Sequence, residues 1–219
     1  MMCADFLHLK ETLDVFIQEK VDYLHIDIMD GHYVPNFGLG VDFCTALASY
    51  TKIPLDIHLM IENPDKFIPQ FAGFSNAIVS FHPETSYHPM RTIQYIKSYN
   101  AKAGIILDPS IPLQHVQHLL PEVDILCIMT VNPGYSGQKL VPQSIEKIKE
   151  AAEYLSIKGY DIQIEVDGNV SWENLPRMLK AGGEVFVAGT SSIFGTRGDL
   201  TKNIRKFRSI LDEFSHPSA

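Results

Sequence analysis

The sequence predicts an α/β fold, an all-parallel sheet wound with helices into a single (β/α)₈ TIM barrel domain over residues 1–219. Three observations predict it. Short apolar runs of strand length alternate with amphipathic helical stretches along the whole chain. Seven such runs are visible, and residues 1–4 supply the end of an eighth, a possibly truncated first strand. The polar residues that need explaining sit at or just past the C-terminal ends of these runs, and only a closed barrel gathers all those ends at one mouth. Six strands would have favoured an open doubly wound sheet instead.

Taken in order, residues 6–18 carry Leu9, Leu13, Phe16 and Ile17 at helical spacing. A strand over 23–29 follows, broken by Asp30-Gly31, then a helix over 41–50. The next strand spans 55–61, and Pro64 suits the first turn of a helix over 64–71. Beyond it come a strand over 77–81, a helix over 90–99, a strand over 102–107 and a helix over 112–120. A strand over 125–129 leads into the glycine loop 132–138 and a long helix over 141–158. The strand 162–166, the helix 173–181, the strand 185–188, a turn over 189–192 and the helix 200–214 complete the pattern.

Composition narrows the function classes. The net charge is −8 and no block of basic residues occurs, which argues against nucleic acid as a partner. No apolar run approaches the ~20 residues a membrane span needs, and the start lacks the basic and apolar regions of a signal peptide. Cys3, Cys44 and Cys127 are odd in number without CxxC spacing, which places the chain in a reducing cytoplasm. A phosphorylated small molecule stays open, because backbone N–H groups bind phosphate without a cationic side chain.

The residues that carry chemistry begin in the strand 23–29. Alternation there puts His25, Asp27 and Met29 on one face and Leu24, Ile26 and Ile28 on the other. A buried, unpaired carboxylate costs several kcal/mol, roughly, unless a cation or donors compensate it. In the strand 55–61, Asp56, His58 and Met60 likewise share a face. His25, Asp27, His58 and Asp167 can meet at the barrel mouth as a first shell for one divalent ion, Zn, Fe, Mn, Co or Mg. Taken singly, each is as well read as a hydrogen-bonded core histidine or a helix-capping aspartate.

Gly134, Tyr135, Ser136 and Gly137 follow the strand 125–129, Gly168 and Asn169 follow the next, and Gly189, Thr190 and Ser191 follow the last. Glycines let the backbone approach an anion, and the loops after the last two barrel strands are the usual phosphate site. Met29, Met60 and Met129 end strands already implicated, as gap fillers or as a dry wall beside the reacting carbon. His32, His82, Glu84 and His88 lie in loops at the mouth, whereas His8, His115, His118 and His216 suit the surface.

These segments resemble the ribulose-phosphate 3-epimerase family over nearly the whole chain. They are Ala4-Asp5-Phe6, His-Ile-Asp-Ile-Met-Asp-Gly-His-Tyr-Val-Pro-Asn (25–36), Asp-Ile-His-Leu-Met-Ile-Glu-Asn-Pro (56–64), Met-Thr-Val-Asn-Pro-Gly-Tyr-Ser-Gly-Gln (129–138), Glu-Val-Asp-Gly (165–168) and Val-Phe-Val-Ala-Gly-Thr (185–190). The resemblance implies that His25, Asp27, His58 and Asp167 bind the metal and that Asp27 and Asp167 are the catalytic acid/base pair. It implies that the three methionines pack near substrate, that His58 contacts it, and that the chain forms a homo-oligomer, a dimer or hexamer.

The reaction so implied inverts C3 of a phosphorylated ketose through an enediolate, with the metal as Lewis acid. Two carboxylates on opposite faces exchange the proton. Family members usually begin a few residues earlier with a Pro-Ser pair, and the serine contacts substrate. Pentose-phosphate enzymes usually have glycine at 136 and 169 and Ser-Ala at 190–191. Met2-Cys3, Phe81-His-Pro-Glu-Thr85, the non-glycine Asn169 and Gly189-Thr190-Ser191 make this chain look most like the D-allulose-6-phosphate 3-epimerase branch, with D-fructose 6-phosphate as the other partner of the reaction. Ser136, Asn169 and Thr190-Ser191 could bind the extra hydroxyls of a six-carbon chain. The D-ribulose 5-phosphate/D-xylulose 5-phosphate pair is the alternative. A phosphate-binding barrel without catalysis would lack one of the four ligands. A decarboxylase would need a lysine at a strand end, and Lys52 and Lys102 lie at strand starts.

Overall fold

The computed structural model describes residues 1–195 and 199–215; His216, expected at the surface, lies outside them. Seven parallel strands form one sheet in sequence order: β1 (Leu24–Met29), β2 (Leu55–Met60), β3 (Ile78–Phe81), β4 (Lys102–Leu107), β5 (Ile125–Met129), β6 (Gln163–Asp167) and β7 (Val185–Phe186). Each neighbour is reached through a crossover, as parallel pairing requires. The helices are α1 (Leu9–Gln18), α2 (Val41–Tyr50), α3 (Ile68–Phe71), α4 (Pro89–Lys97), α5 (Gln143–Lys158), α6 (Leu175–Ala181) and α7 (Leu200–Ser215).

Strand periodicity divides the two faces of the sheet. Ile26, Ile57, Val79, Ile105, Leu126 and Val166 join the main apolar core, together with Phe16, Leu47, Ile96, Ile148 and Met178 from the helices. The alternate positions face inward, where Ile106, Cys127, Met129 and Val131 make a small separate cluster. The polar residues of β1, β2 and β6 share that inner face. Strands buried on both sides read as continuous apolar runs, as β5 does.

Prolines account for the departures from the helical pattern. The expected helix over 64–71 is a 3₁₀ turn, Pro64–Lys66, followed by the four-residue α3, because Pro69 has no N–H to continue the ladder. The helix expected over 112–120 is two 3₁₀ turns, Leu113–His115 and Leu120–Glu122. Pro121 has no N–H with which to continue an α-helix through it. The helix expected from 141 starts at Gln143, after Pro142.

An eighth strand is not formed among the described residues. Residues 1–4 make a turn, too short for the ~5–6 residues of an ordinary strand. The Met1 ammonium donates to the His25 carbonyl at 2.5 Å on the outer edge of β1. Cys3 meanwhile lies 3.5 Å from where a Cβ on Gly189, beyond β7, would stand. The N-terminal turn therefore touches both edges of the sheet. Below it a cavity of about 660 Å³ runs between them, lined by Leu24 on one side and Val185 and Phe186 on the other. α7 spans the same gap outside: Arg205 donates to both oxygens of Glu19 at 2.9 and 2.7 Å, and Arg208 to Asp22 at 3.1 Å. Among the described residues no helix is long and apolar enough to cross a membrane.

Candidate active site

Four side chains expected to meet do so at the upper end of that cavity. His25 Nε2 lies 3.5 Å from Asp27 Oδ1 and 3.8 Å from Asp167 Oδ2. His58 Nδ1 lies 3.6 Å from Asp27 Oδ1 and 3.5 Å from Asp167 Oδ2. The two ring nitrogens are buried and have no hydrogen-bond partner. Donor atoms held ~2.0–2.2 Å from a tetrahedral ion stand ~3.3–3.6 Å apart, so this spacing fits a small divalent cation. Two unpartnered imidazole nitrogens and two carboxylates are also the donor set such an ion takes. Asp27 is buried, which would raise its pKa, but His25 and His58 outweigh burial and hold the carboxyl far below the usual range.

Behind His25 stands a second layer, Asp56 and Glu165, whose role the sequence pattern alone does not reveal. His25 Nδ1 lies 2.5 Å from Asp56 Oδ2 and 3.4 Å from Glu165 Oε1. Burial would lower the pKa of His25, and Asp56 and Asp27 more than reverse it. Glu165 is buried, and desolvation followed by the neighbouring Asp56 charge pushes its carboxyl well up. The signal was present: Asp56 and Glu165 each sit two residues before a site residue, hence on the same face of the strand.

His82 also differs from expectation. Expected in a loop lining the mouth, it is instead wholly buried, with Nε2 2.9 Å from His58 Nε2. His32, Glu84 and His88 are exposed, as are the surface histidines His8, His115 and His118. His58 itself is fully buried and stands behind the cavity wall that His25, Asp27 and Asp167 line.

Met29, Met60 and Met129 line the cavity, each nearly buried. Met29 and Met60 are register partners, and Met129 is the partner of Asp167. The result is an apolar wall beside the carboxylates. The glycine loops line the same cavity. Gly134, Gly137 and Gly168 adopt φ of +105°, +77° and +109°, a region that favours glycine. The loop bearing Gly134 and Tyr135 is tied to the loop after β1: Asn36 Nδ2 donates to the Gly134 carbonyl at 2.8 Å and the Tyr135 hydroxyl to the Pro35 carbonyl at 3.0 Å. Ser136 is exposed on the same loop.

Asn169 is already engaged. Its Nδ2 donates to the Gln138 carbonyl at 2.6 Å and its Oδ1 accepts from Asn174 Nδ2 at 2.7 Å. Gly189, Thr190 and Ser191 line the cavity and open a turn in which the Gly189 carbonyl accepts from Ser192 and Phe194, both at 3.1 Å.

A parallel sheet with paired imidazoles and carboxylates at its C-terminal edge, beside glycine loops suited to an anion, defines a class: α/β enzymes that move protons on small anionic substrates. The comparisons make it particular. The family model for the "Ribulose-phosphate 3 epimerase family" matches residues 1–194. The ribulose-phosphate 3-epimerase of Escherichia coli K12 is 38% identical over 217 residues, covering 99% of this chain and 96% of that protein. That of Bacillus subtilis 168 is 42% identical over 209 residues, 95% of each. A solved 3-hexulose-6-phosphate synthase from Salmonella typhimurium shares the fold at a TM-score of 0.65 and 16% identity, covering 94% of this chain and 93% of that one. The chain belongs to the ribulose-phosphate 3-epimerase family, and it is an epimerase, an enzyme of the isomerase class.

Proposed function

We propose that the chain, working as one domain, interconverts D-ribulose 5-phosphate and D-xylulose 5-phosphate in the cytoplasm as a metal-dependent homo-oligomer. The observation that carries this reading is the convergence of Asp27 and Asp167 on one point with His25 and His58, in a chain alignable end to end with enzymes named for that activity. The six-carbon preference expected from Ser136, Asn169 and Thr190-Ser191 loses its strongest support, because the Asn169 amide is spent on Gln138 and Asn174 rather than aimed at a sugar hydroxyl.

Asp27 comes from β1 and Asp167 from the end of β6, so the two carboxylates reach the substrate from different strands. One takes the C3 proton and the other delivers a proton to the opposite face, and their roles exchange with the direction of reaction. His25 and His58 keep Asp27 ionised, the state from which a base must start. A divalent ion held by His25, Asp27, His58 and Asp167 supplies Lewis-acid stabilisation of the negative charge that develops as the C3 proton leaves. Met29, Met60 and Met129 keep bulk water from the reacting carbon. The glycine loops hold the phosphate through backbone N–H groups, which fixes C3 relative to the acids.

The test is a side-by-side assay of purified protein with D-ribulose 5-phosphate and D-allulose 6-phosphate, with elemental analysis of the same sample. A higher kcat/KM for the pentose and about one metal equivalent per chain, lost with activity on chelation, are expected. A marked preference for the hexose would move the chain to the allulose branch, and full activity after removal of all metal would sink the ion.

A further inference from the structure

A file of three side chains leads away from the active-site cluster through successive strand ends. His58 is on β2, His82 follows β3 directly and Asp108 follows β4 directly. His58 Nδ1 faces the two carboxylates, and His58 Nε2 lies 2.9 Å from His82 Nε2 in a buried contact. His82 Nδ1 is 3.1 Å from Asp108 Oδ1, within reach of a hydrogen bond, and both atoms are buried and otherwise unpartnered. Glu84 stands further off, 3.8 Å from His82 Nδ1, and already accepts the Tyr33 hydroxyl at 2.8 Å.

The proton inventory then has one solution. A carboxylate only accepts, so the proton between Asp108 and His82 sits on His82 Nδ1. A neutral imidazole carries one proton, so His82 Nε2 is bare and accepts. The proton between the two rings must then belong to His58 Nε2. That leaves His58 Nδ1 with a free lone pair. Without Asp108, His82 could equally hold its proton on Nε2 and donate, which would force the proton of His58 onto Nδ1 and close the lone pair.

We propose that His82 and Asp108 are positioning residues that hold His58 in the tautomer with a bare Nδ1 aimed between Asp27 and Asp167. This deepens the proposed function, since it rests on reading His58 as a metal ligand. Asp56 does the corresponding work for His25 from the other side. The His58 arm needs two residues because its partner is itself a ring with two possible tautomers.

Two measurements test it. In the metal-free full-length protein, long-range ¹H–¹⁵N spectra should show the His58 proton on Nε2; a proton on Nδ1 overturns the proposal with no variant needed. In competition with a chelator, His82→Leu should weaken Co²⁺ binding about 10–100-fold. His82→Gln, whose side-chain carbonyl still accepts from His58 Nε2, should stay near the wild type. Equal, wild-type Co²⁺ affinity in both folded variants, with the Nε2 proton unmoved in the leucine variant, overturns the proposal. A wild-type chain that binds no divalent ion would sink the ligand reading instead, while the spectra still decide the tautomer.

Discussion

Asp27 on β1 and His58 on β2 are cross-strand partners in the sheet, and their facing atoms lie 3.6 Å apart. The same register sets His25 against Asp56. One strand pair therefore brings together both imidazoles, one of the two acids and the carboxylate that orients a ring. Because strand residues alternate, a one-residue slip of either strand would send its two site residues to the helix-packed face. Asp167 must then come from β6, with the curl of the sheet bringing it opposite.

Asp167→Asn keeps the shape of the side chain and removes a proton carrier. Epimerisation should fall by ~10²–10⁴-fold or more, while the far-ultraviolet circular dichroism stays that of the wild type. A folded variant of ordinary activity would show that Asp167 is not part of the pair.

Asp56→Ala leaves His25 Nδ1 without its 2.5 Å partner. Loss of an outer-shell carboxylate typically weakens metal binding ~10–100-fold. Chelator competition should show that loss directly, and excess metal should restore part of the rate. Unchanged affinity would mean that Asp56 does not hold the ring.

Gly168→Ala is expected to be costly on two counts. Gly168 has φ +109°, and an added Cβ would meet Val131 Cγ2 at 2.5 Å and the Val131 backbone nitrogen at 2.9 Å. Backbone strain of this kind costs ~1–3 kcal/mol before the clash is counted. Urea unfolding should give a lower midpoint, and KM for the sugar phosphate should rise as the loop shifts.

Lys147 on α5 donates to the carbonyls of Asp108, Pro109 and Ile111, each at 2.7 Å. Lys147→Met strands three carbonyls in the loop that carries Asp108. A loss of about 1–3 kcal/mol is expected from leaving such groups unpaired, read by chemical denaturation. A variant as stable as the wild type would show that water replaces the ammonium without cost.

Much of this was legible along the chain because strand geometry is local. A period of two puts His25 with Asp27, Asp56 with His58 and Glu165 with Asp167 on one face, and glycines mark the loops where the backbone turns with positive φ. Of these, His25, Asp27, His58 and Asp167 and the glycine loops are legible as one cluster at the strand ends, whereas Asp56 and Glu165 are not. What tertiary structure alone decided is non-local. Whether His82 lies in the mouth or behind His58, whether Asp108 meets His82, and whether the Asn169 amide faces a substrate or Gln138 depend on loops packing across neighbouring strands. The N-terminal turn bridging β1 and β7 is of the same kind, because pairing at a sheet edge is settled by which backbone groups come within hydrogen-bonding reach. A residue's own sequence neighbours fix the side of the strand it faces, whereas its partner is set by segments tens of residues away.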